Sequence, residues 1–286
     1  MTEPLLVIDD VHVAYPAKGW RRPPFHALKG VSLDIMPGEC VGLVGESGSG
    51  KTTLGRAVLG LAPVTGGSIR YRGAEIGNLS RRSRRKLSDE IQVVFQDPYS
   101  SLNPSLTIEQ SLTEPLRVKK VSAADASLRV RTLLDQVGLP SNAAGRLPRE
   151  FSGGQRQRIA IARALALDPR VIVCDEPVSA LDLSTQARVL ELFKDIQDAT
   201  GVAYLFVSHD LAVVRHLSHR VAVMYRGEIV EYGPGDEVTS DPEHPYTRRL
   251  LLAAPVPDPV LQEQRRADRD RLLDSQDEMA LRLDAV

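Results

Sequence analysis

Residues 39–61 read ECVGLVGESGSGKTTLGRAVLGL: an apolar strand, a glycine loop and a helix in immediate succession. Gly45, Glu46, Ser47, Gly48, Ser49, Gly50, Lys51 and Thr52 match the pattern G-x-x-x-x-G-K-[ST]. Glycines at these spacings let the backbone curl so that successive N–H groups point inward at phosphate oxygens. The Lys51 ammonium can reach the outer phosphates as a point charge, and the Thr52 hydroxyl can ligate Mg2+. Thr53 follows in the same turn and joins the candidate nucleotide-binding set. The helix that starts here adds the positive end of its dipole. A flexible Gly/Ser loop is the plain alternative, but the strand before it and the helix after it are the setting that phosphate binding requires.

Working outward from the loop, residues 171–176, VIVCDE, form an apolar strand that ends in two acids. An acid at the carboxyl end of such a strand lies at the sheet edge where ligands bind. Asp175 is expected to hold Mg2+ through water, and Glu176 to orient and deprotonate an attacking water. From about residue 153 the chain alternates: RQRIAIARALAL (156–167) as helix, RVIVCD (170–175) as strand, TQARVLELFKDIQDAT (185–200) as helix and AYLFVS (203–208) as strand. Apolar strands alternating with helices predict a mostly parallel sheet covered on both faces. Phe151-Ser152-Gly153-Gly154-Gln155 opens the first of those helices. Ser–Gly–Gly there supplies a second set of phosphate-facing N–H groups and a hydroxyl. One nucleotide does not need two such sets from one chain, so the second is expected to serve a nucleotide on another subunit. A simple N-cap is the competing reading.

The flanks are plainer. LLVIDDVHVAY (5–15) and ALKGVSLDI (27–35) read as short strands with partial alternation, joined by an exposed loop PAKGWRRPP (16–24). GGSIRYRGAEI (66–76) reads as strand, turn and strand, which suggests an antiparallel sheet flanking the nucleotide. Val130, Leu133, Leu134 and Val137 share one face of a helix that Gly138 and Pro140 stop. With 286 residues, 42% hydrophobic and 26% charged, the chain has the profile of an ordinary folded protein. A net charge of −1 gives no global pull toward nucleic acid or an anionic membrane. Cys40 and Cys174 lie in apolar strands and read as core thiols, not metal ligands. The opening MTEPLLVIDD lacks the pattern of a secretory signal, and no apolar run is long enough to span a bilayer, so a membrane channel is expected to come from other chains. RRSRRK (81–86) reads as a solvated face, and the proline-dotted, then highly charged stretch from Asp241 onward as a solvated tail or exposed helix.

With these residues in view, the chain resembles the ABC ATPase family over residues 5 to about 240. GESGSGKT resembles its Walker A, FSGGQ its signature and VIVCDE its Walker B; Gln96 in VFQDP stands at the Q-loop, Ser179-Ala180-Leu181-Asp182 at the D-loop and His209 in VSHD at the H-loop. Tyr15 stands where the family has an aromatic residue under the adenine. The resemblance implies an α/β fold: a P-loop NTPase with a RecA-like parallel core, an antiparallel β-subdomain and a helical subdomain at about 97–165, all within residues 1–240, followed by a C-terminal extension over 241–286. It implies ATP and Mg2+ as cofactors, the metal held by Thr52, Gln96 and Asp175. Gln96 is then expected to contact the attacking water and relay nucleotide occupancy to a membrane partner, and His209 to hydrogen-bond the γ-phosphate. Ser152, Gly153, Gly154 and Gln155 are expected to complete a partner's site in a head-to-tail dimer.

A narrower resemblance concerns cargo. QDPYSSLNP (96–104), GKTTLGRAVLGL (50–61), His244-Pro245-Tyr246-Thr247 and LLAAPVPDP (251–259) are similar to the oligopeptide/dipeptide importer branch, which also includes nickel importers, and specifically to its second ATPase subunit. It implies a sister ATPase subunit, two transmembrane permease subunits and, indirectly, a solute-binding protein, at the cytoplasmic face of a bacterial cytoplasmic membrane, with no nucleic-acid partner. Many relatives carry cysteines beyond the PVPDP segment, sometimes linked to an iron–sulfur cluster; here that stretch is RADRDRLLDSQDEM, without cysteine, so no cluster is expected. Two rivals stand beside this reading: a soluble ABC protein of translation or DNA repair, and a nucleotide sensor that scarcely hydrolyses. No second cassette, coiled coil or zinc module is visible for the first, and the presence of Glu176 and His209 speaks against the second.

Overall fold

The structure, a computed structural model, describes residues 3–16, 23–97, 99 and 101–253. The expectations for the loop at 17–22, for Pro98 and Ser100, and for the tail from residue 254, including the absence of a cluster, fall outside the described residues. Two sheets organise the rest. Strands β1 (Leu6–Tyr15), β2 (Phe25–Ile35), β4 (Gly66–Tyr71) and β5 (Ala74–Glu75) form an antiparallel sheet in the order β2-β1-β4-β5. Strands β3 (Cys40–Val44), β6 (Ile91–Val94), β7 (Val171–Asp175), β8 (Ala203–Val207), β9 (Arg220–Tyr225) and β10 (Glu228–Pro234) form a second sheet, ordered β10-β9-β3-β8-β7-β6. All neighbours in it are parallel except the β9–β10 hairpin.

That hairpin carries no expectation from the sequence reading. Its turn is Arg226-Gly227, both at positive φ, the backbone that a two-residue hairpin of matching twist requires. The broken alternation of β1 also has a cause. Leu6 and Ile8 face inward, as do Val11 and Val13, so the inward parity changes between the two pairs. A register shift between Ile8 and Val11, with Asp10 at positive φ, is the bulge that resets the face.

Period-two alternation sorts the central strands between two cores. Val171, Val173, Ala203, Leu205 and Val207 face a core shared with the antiparallel sheet and with Leu54, Ala57 and Val58 of α1 (Lys51–Val58). Ile172, Cys174, Tyr204 and Phe206 face the other core. That core is built with α3 (Ile108–Val118), α4 (Ala123–Gln136), α5 (Gly153–Leu165) and α6 (Leu183–Thr200). Phe193 of α6 meets Tyr204 and Phe206 edge-on, with centroids 5.4 and 5.6 Å away, a geometry worth about 0.5–1.5 kcal/mol per pair beyond buried area. Val130, Leu133, Leu134 and Val137 are all buried there; α4 ends at Gln136, and Gly138 turns the chain at φ 65°. Both cysteines are fully buried, and burial pushes the Cys40 thiol up to about 12.

The basic run 81–86 departs in part from its expected role. It forms α2 (Arg81–Leu87), with no buried residue. Yet Arg84 donates to the carbonyls of Val58 (2.8 Å) and Ile76, ending α1 and binding it to the strand-turn region, and burial lowers its pKa. A second clamp joins the two sheets: Arg220 of β9 donates to Asp34 of β2 (3.0 Å) and to Glu39 (2.6 Å), a forked, charge-assisted pairing. The remaining helices are α7 (Leu211–Leu217), α8 (Gly235–Ser240) and α9 (Pro245–Ala253). No helix among the described residues is long and apolar enough to cross a membrane.

Candidate functional site: a P-loop at the strand ends

Parallel pairing aligns the carboxyl ends of four neighbouring strands. Leu43 of β3 pairs with Val207 of β8, Val207 with Asp175 of β7, and Cys174 with Val94 of β6. The loops that leave these ends carry residues 45–50, His209, Glu176 and Gln96, so residues spread over 165 positions of sequence converge on one edge. This is the edge at which open parallel sheets bind ligands.

Gly45 begins the loop at φ 151°, and a Cβ there would stand 2.2 Å from the Met224 carbonyl oxygen, so no other residue fits. The loop then folds over Lys51, which is 4% exposed. Its ammonium donates to the carbonyls of Gly45 (2.7 Å) and Glu46 (2.8 Å) and has no carboxylate within ion-pair distance among the described residues. Burial lowers its pKa, against the opposing pull of Glu176, Asp175 and Glu46. The helix that follows is also unusual. Helices α2 to α7 each receive a side-chain cap, from Ser80, Thr107, Ser122, Ser152, Asp182 and Asp210. The residue before α1 is Gly50, in the left-handed region and with no cap. The N–H groups of Lys51, Thr52 and Thr53 thus have no acceptor from the described chain. Ser49 adds a buried hydroxyl with no partner among the described residues. A buried cation, uncapped amides and an orphan hydroxyl together form a site for a polyanion.

Glu46 is the exception within the loop. Its N–H, counted among the phosphate-facing set from sequence, is donated to the Tyr246 hydroxyl (2.9 Å). Ser49 N–H is likewise turned back to the Glu46 carbonyl (3.2 Å). The amides of Ser47, Gly48 and Gly50 to Thr53 have no acceptor among the described residues.

Asp175 ends β7, and its Oδ1 accepts the Thr52 hydroxyl at 2.9 Å. Burial raises the Asp175 pKa, with the Thr52 bond pulling the other way. An oxygen-only pair of this kind suits a hard divalent cation, and positive charge beside Asp175 would favour its ionised form, so the residues present fit Mg2+. Glu176 follows at φ 49°, a strained backbone for a residue with a Cβ, held by its N–H to the Val207 carbonyl (3.1 Å). One carboxylate oxygen, Oε2, lies 3.0 Å from His209 Nδ1 and 3.4 Å from Gln96 Nε2. Gln96, Glu176 and His209 therefore meet at one atom. The His209–Glu176 contact was not anticipated from sequence, where His209 was directed at phosphate alone. Tyr15 closes β1, half-buried, opposite Phe25, which is 65% exposed. Two residues along β2, the Ala27 carbonyl borders Gly50, so this aromatic end of the antiparallel sheet adjoins the loop.

The structure does not bring the signature to this cluster. Ser152 caps α5 in a reciprocal capping box: its Oγ accepts Gln155 N–H (3.3 Å), and Gln155 Oε1 accepts Ser152 N–H (3.0 Å). Gly153 lies beside Leu181 of the D-loop segment. Gly154 fits closely against α6, where a Cβ would fall 2.2 Å from Thr185 Cγ2. Ser179 returns to the active edge, its hydroxyl donating to the Glu176 carbonyl at 3.1 Å, while Asp182 caps α6. The N–H of Thr185 and the Ser184 hydroxyl hold the Asp182 carboxyl down to about 2. Segment 179–182 thus runs from the Glu176 turn to the signature face.

The family model described as ABC transporter matches residues 28–179, from β2 through the P-loop, the signature and Glu176 to the first residue of the D-loop. The chain belongs to the ABC transporter family. Its fold is that of an ABC ATPase cassette. The ATP-binding cassette MJ0796, in a dimeric post-hydrolysis state bound to ADP and Pi, superposes with TM-score 0.72 at 31% identity, over 80% of this chain and 98% of that one. CbiO1 from Clostridium perfringens, part of the ABC transporter complex cbiONQ, gives TM-score 0.74 at 26% identity, over 83% of this chain and 91% of its own. Among curated relatives, the glutathione import ATP-binding protein GsiA of Escherichia coli K12 is 54% identical over 242 residues, and that of Salmonella typhi 53%. The alignments cover 84% of this chain and 39% of those proteins, so the chain spans well under half of their length.

Within this ABC cassette, besides the contact of His209 with Glu176, two further contacts near the site lie beyond sequence reasoning. Tyr246 reaches the P-loop from α9; its HPYT setting marks the importer branch, but nothing in a linear reading links position 246 to position 46. Phe25 extends the aromatic edge at Tyr15; its only signal was its place at the start of a strand that pairs with β1.

Proposed function

We propose that this chain binds ATP and Mg2+ on the P-loop and hydrolyses the γ-phosphate, as the ATPase subunit of an importer. The observation that carries the proposal is the meeting of Gln96, Glu176 and His209 at one carboxylate oxygen beside the Thr52–Asp175 pair and the buried Lys51. Lys51 and the uncapped amides of α1 hold the triphosphate, while Tyr15 stacks on the adenine. Thr52, Asp175 and Gln96 hold Mg2+, which when bound supplies positive charge to the phosphoryl oxygens. Glu176 takes a proton from the attacking water on Oε1, the oxygen that Gln96 and His209 leave clear. Gln96 and His209 fix the carboxylate's rotamer; as the γ-phosphoryl group passes to water, the single imidazole N–H turns from Glu176 to donate to the charge that develops on the transferred group. The strained turn at Glu176 is consistent with a residue held for chemistry.

Ser152, Gly153, Gly154 and Gln155 act in trans, on a nucleotide held by the P-loop of a second cassette. The separation of this segment from the chain's own P-loop supports that reading, as does a dimeric relative bound to ADP and Pi. The second cassette is a sister subunit, and two permease subunits receive the closing motion at the cytoplasmic face of the bacterial cytoplasmic membrane. ATP favours the closed dimer and so shifts that population. Residues 1–240 form the ATPase unit, with its helical part at about 97–165, and 241–286 form an importer-type extension. The cargo is a small peptide: GsiA relatives are named for glutathione, itself a tripeptide.

Phosphate release, measured for the chain alone and with its permeases and binding protein in vesicles, tests both levels. Mg2+-dependent release stimulated by loaded binding protein is the expected result. No release in either setting would overturn the enzyme reading; release stimulated by a metal ion and not by peptides would move the cargo to the nickel branch.

A further inference from the structure

Nothing in the hydrolytic chemistry uses His244-Pro245-Tyr246-Thr247. In the structure this stretch opens α9 and is anchored from several sides. The Glu231 carboxylate of β10 accepts the N–H groups of Glu243 (2.8 Å) and His244 (3.2 Å), and His244 Nδ1 accepts that of Tyr246 (3.2 Å). The Tyr246 ring is 3% exposed and lies against Tyr225, centroid to centroid 4.3 Å, in a cluster with Val44, Val221 and Val223. Only its hydroxyl leaves that cluster, to accept the Glu46 N–H at 2.9 Å.

The peptide that carries this N–H is the Gly45–Glu46 unit, whose carbonyl oxygen accepts the Lys51 ammonium at 2.7 Å. A trans peptide is planar, with its C=O and N–H pointing in opposite directions. The Tyr246 hydroxyl and the Lys51 ammonium therefore grip the two ends of one rigid plate. Rotating the plate breaks both bonds and turns an N–H toward the lysine's positive charge. We infer that Tyr246 is a positioning residue for nucleotide binding, which fixes the Gly45–Glu46 peptide and through it the resting place of Lys51. A helix some 200 residues downstream thereby sets the geometry of the P-loop. Tyr246 acts in this way only if the P-loop binds ATP, as proposed above.

The test is Tyr246→Phe in the full chain, which keeps the ring in its cluster and removes only the hydroxyl. Tyr232→Phe is the control, since it also deletes a half-buried hydroxyl, one that donates to the Asp34 carbonyl (3.2 Å) away from the loop. Equilibrium titration with ATP and steady-state hydrolysis are compared with the melting temperature. Tyr246→Phe should raise the Kd and KM for ATP about 3- to 10-fold, the range for one lost hydrogen bond, with kcat little changed. Both variants should lower the melting temperature to a similar extent, but Tyr232→Phe should leave KM unaltered. Equal ATP affinity in wild type and Tyr246→Phe would overturn the assignment, as would an equal rise in KM for the control. Failure of the wild-type chain to bind ATP would instead overturn the ATP-binding reading on which it depends.

Discussion

Two helix N-termini in this molecule are built from similar glycine-rich sequence and differ in how their amides are used. At α1 the preceding residue is Gly50, no side chain caps the helix, and a buried lysine sits behind the loop. At α5 the preceding residue is Ser152, its hydroxyl and Gln155 close a capping box, and both of these residues are exposed while Gly154 is buried. The first terminus leaves charge and donors unsatisfied in a semi-buried place, which costs stability unless an anion fills it. At the second, the capping box satisfies the Ser152 and Gln155 amides, while those of Gly153 and Gly154 have no acceptor among the described residues, with no buried cation behind them. A charged, uncapped loop and a partly capped terminus with two free amides are the two halves that the proposed head-to-tail pair would bring together.

The largest effect belongs to the first half. Glu176→Gln keeps the side chain's size and its reach to Gln96 and His209 but removes the proton acceptor. Turnover should fall about 10²- to 10⁴-fold, the usual worth of a general base, while ATP binding persists and the closed dimer becomes long-lived. Phosphate release and ATP-dependent gel filtration read the two consequences separately. Normal turnover in this variant would remove Glu176 from the role of base.

Lys51→Ala should instead weaken ATP binding itself, by about 10- to 100-fold for a lost charged hydrogen bond. A pH series sharpens the point. ATP favours the protonated amine, so affinity is full below the pKa of Lys51 in the free protein and falls as pH rises through it. Burial sets that pKa below the ordinary lysine value of 10.5, so the loss of affinity should begin earlier than an exposed lysine would give. Isothermal titration across alkaline pH, with Lys51→Arg as the reference that keeps its charge, measures the onset. An unchanged affinity in Lys51→Ala would break the phosphate assignment.

The second half is tested in trans. Ser152→Arg places a long side chain on the exposed signature face. If that face meets a neighbour's nucleotide, overpacking should cost closure about 1–3 kcal/mol, or about 5- to 160-fold in hydrolysis at the neighbour's P-loop. Added to Glu176→Gln, the substitution should abolish the ATP-dependent dimer while each chain still binds ATP. An unaltered dimer would mean that the signature face is not the meeting surface.

The same contrast explains what could be read from sequence. The P-loop, the acids of β7 and the parallel core were legible because each rests on local pattern: a glycine spacing, an apolar run, an alternation of helix and strand. The bulge in β1 was visible only as imperfect alternation, since a register shift is a property of two strands. The Tyr246–Glu46 bond, the two carbonyls that Arg84 caps, and the meeting of His209 with Glu176 join segments with no common pattern. Arg84 shows the difficulty well. Within RRSRRK it is one of five bases, and only the fold decides which of them turns inward.

The smallest expected effect separates capping from contact. In the isolated chain, without nucleotide, Ser152 does no more than cap α5. Glycine is a tolerated N-cap, so Ser152→Gly should cost only a few tenths of a kcal/mol. For a chain of this size that is about 1 °C in melting temperature. If the signature serves a neighbour's nucleotide, as proposed, hydrolysis by the dimer should nevertheless decline, because the hydroxyl offered to that phosphate would be gone. Thermal melts and phosphate release on the same preparations would show whether these quantities separate. A drop of many degrees would make Ser152 a structural residue of its own chain, and the difference between the two helix termini would then lose its functional meaning.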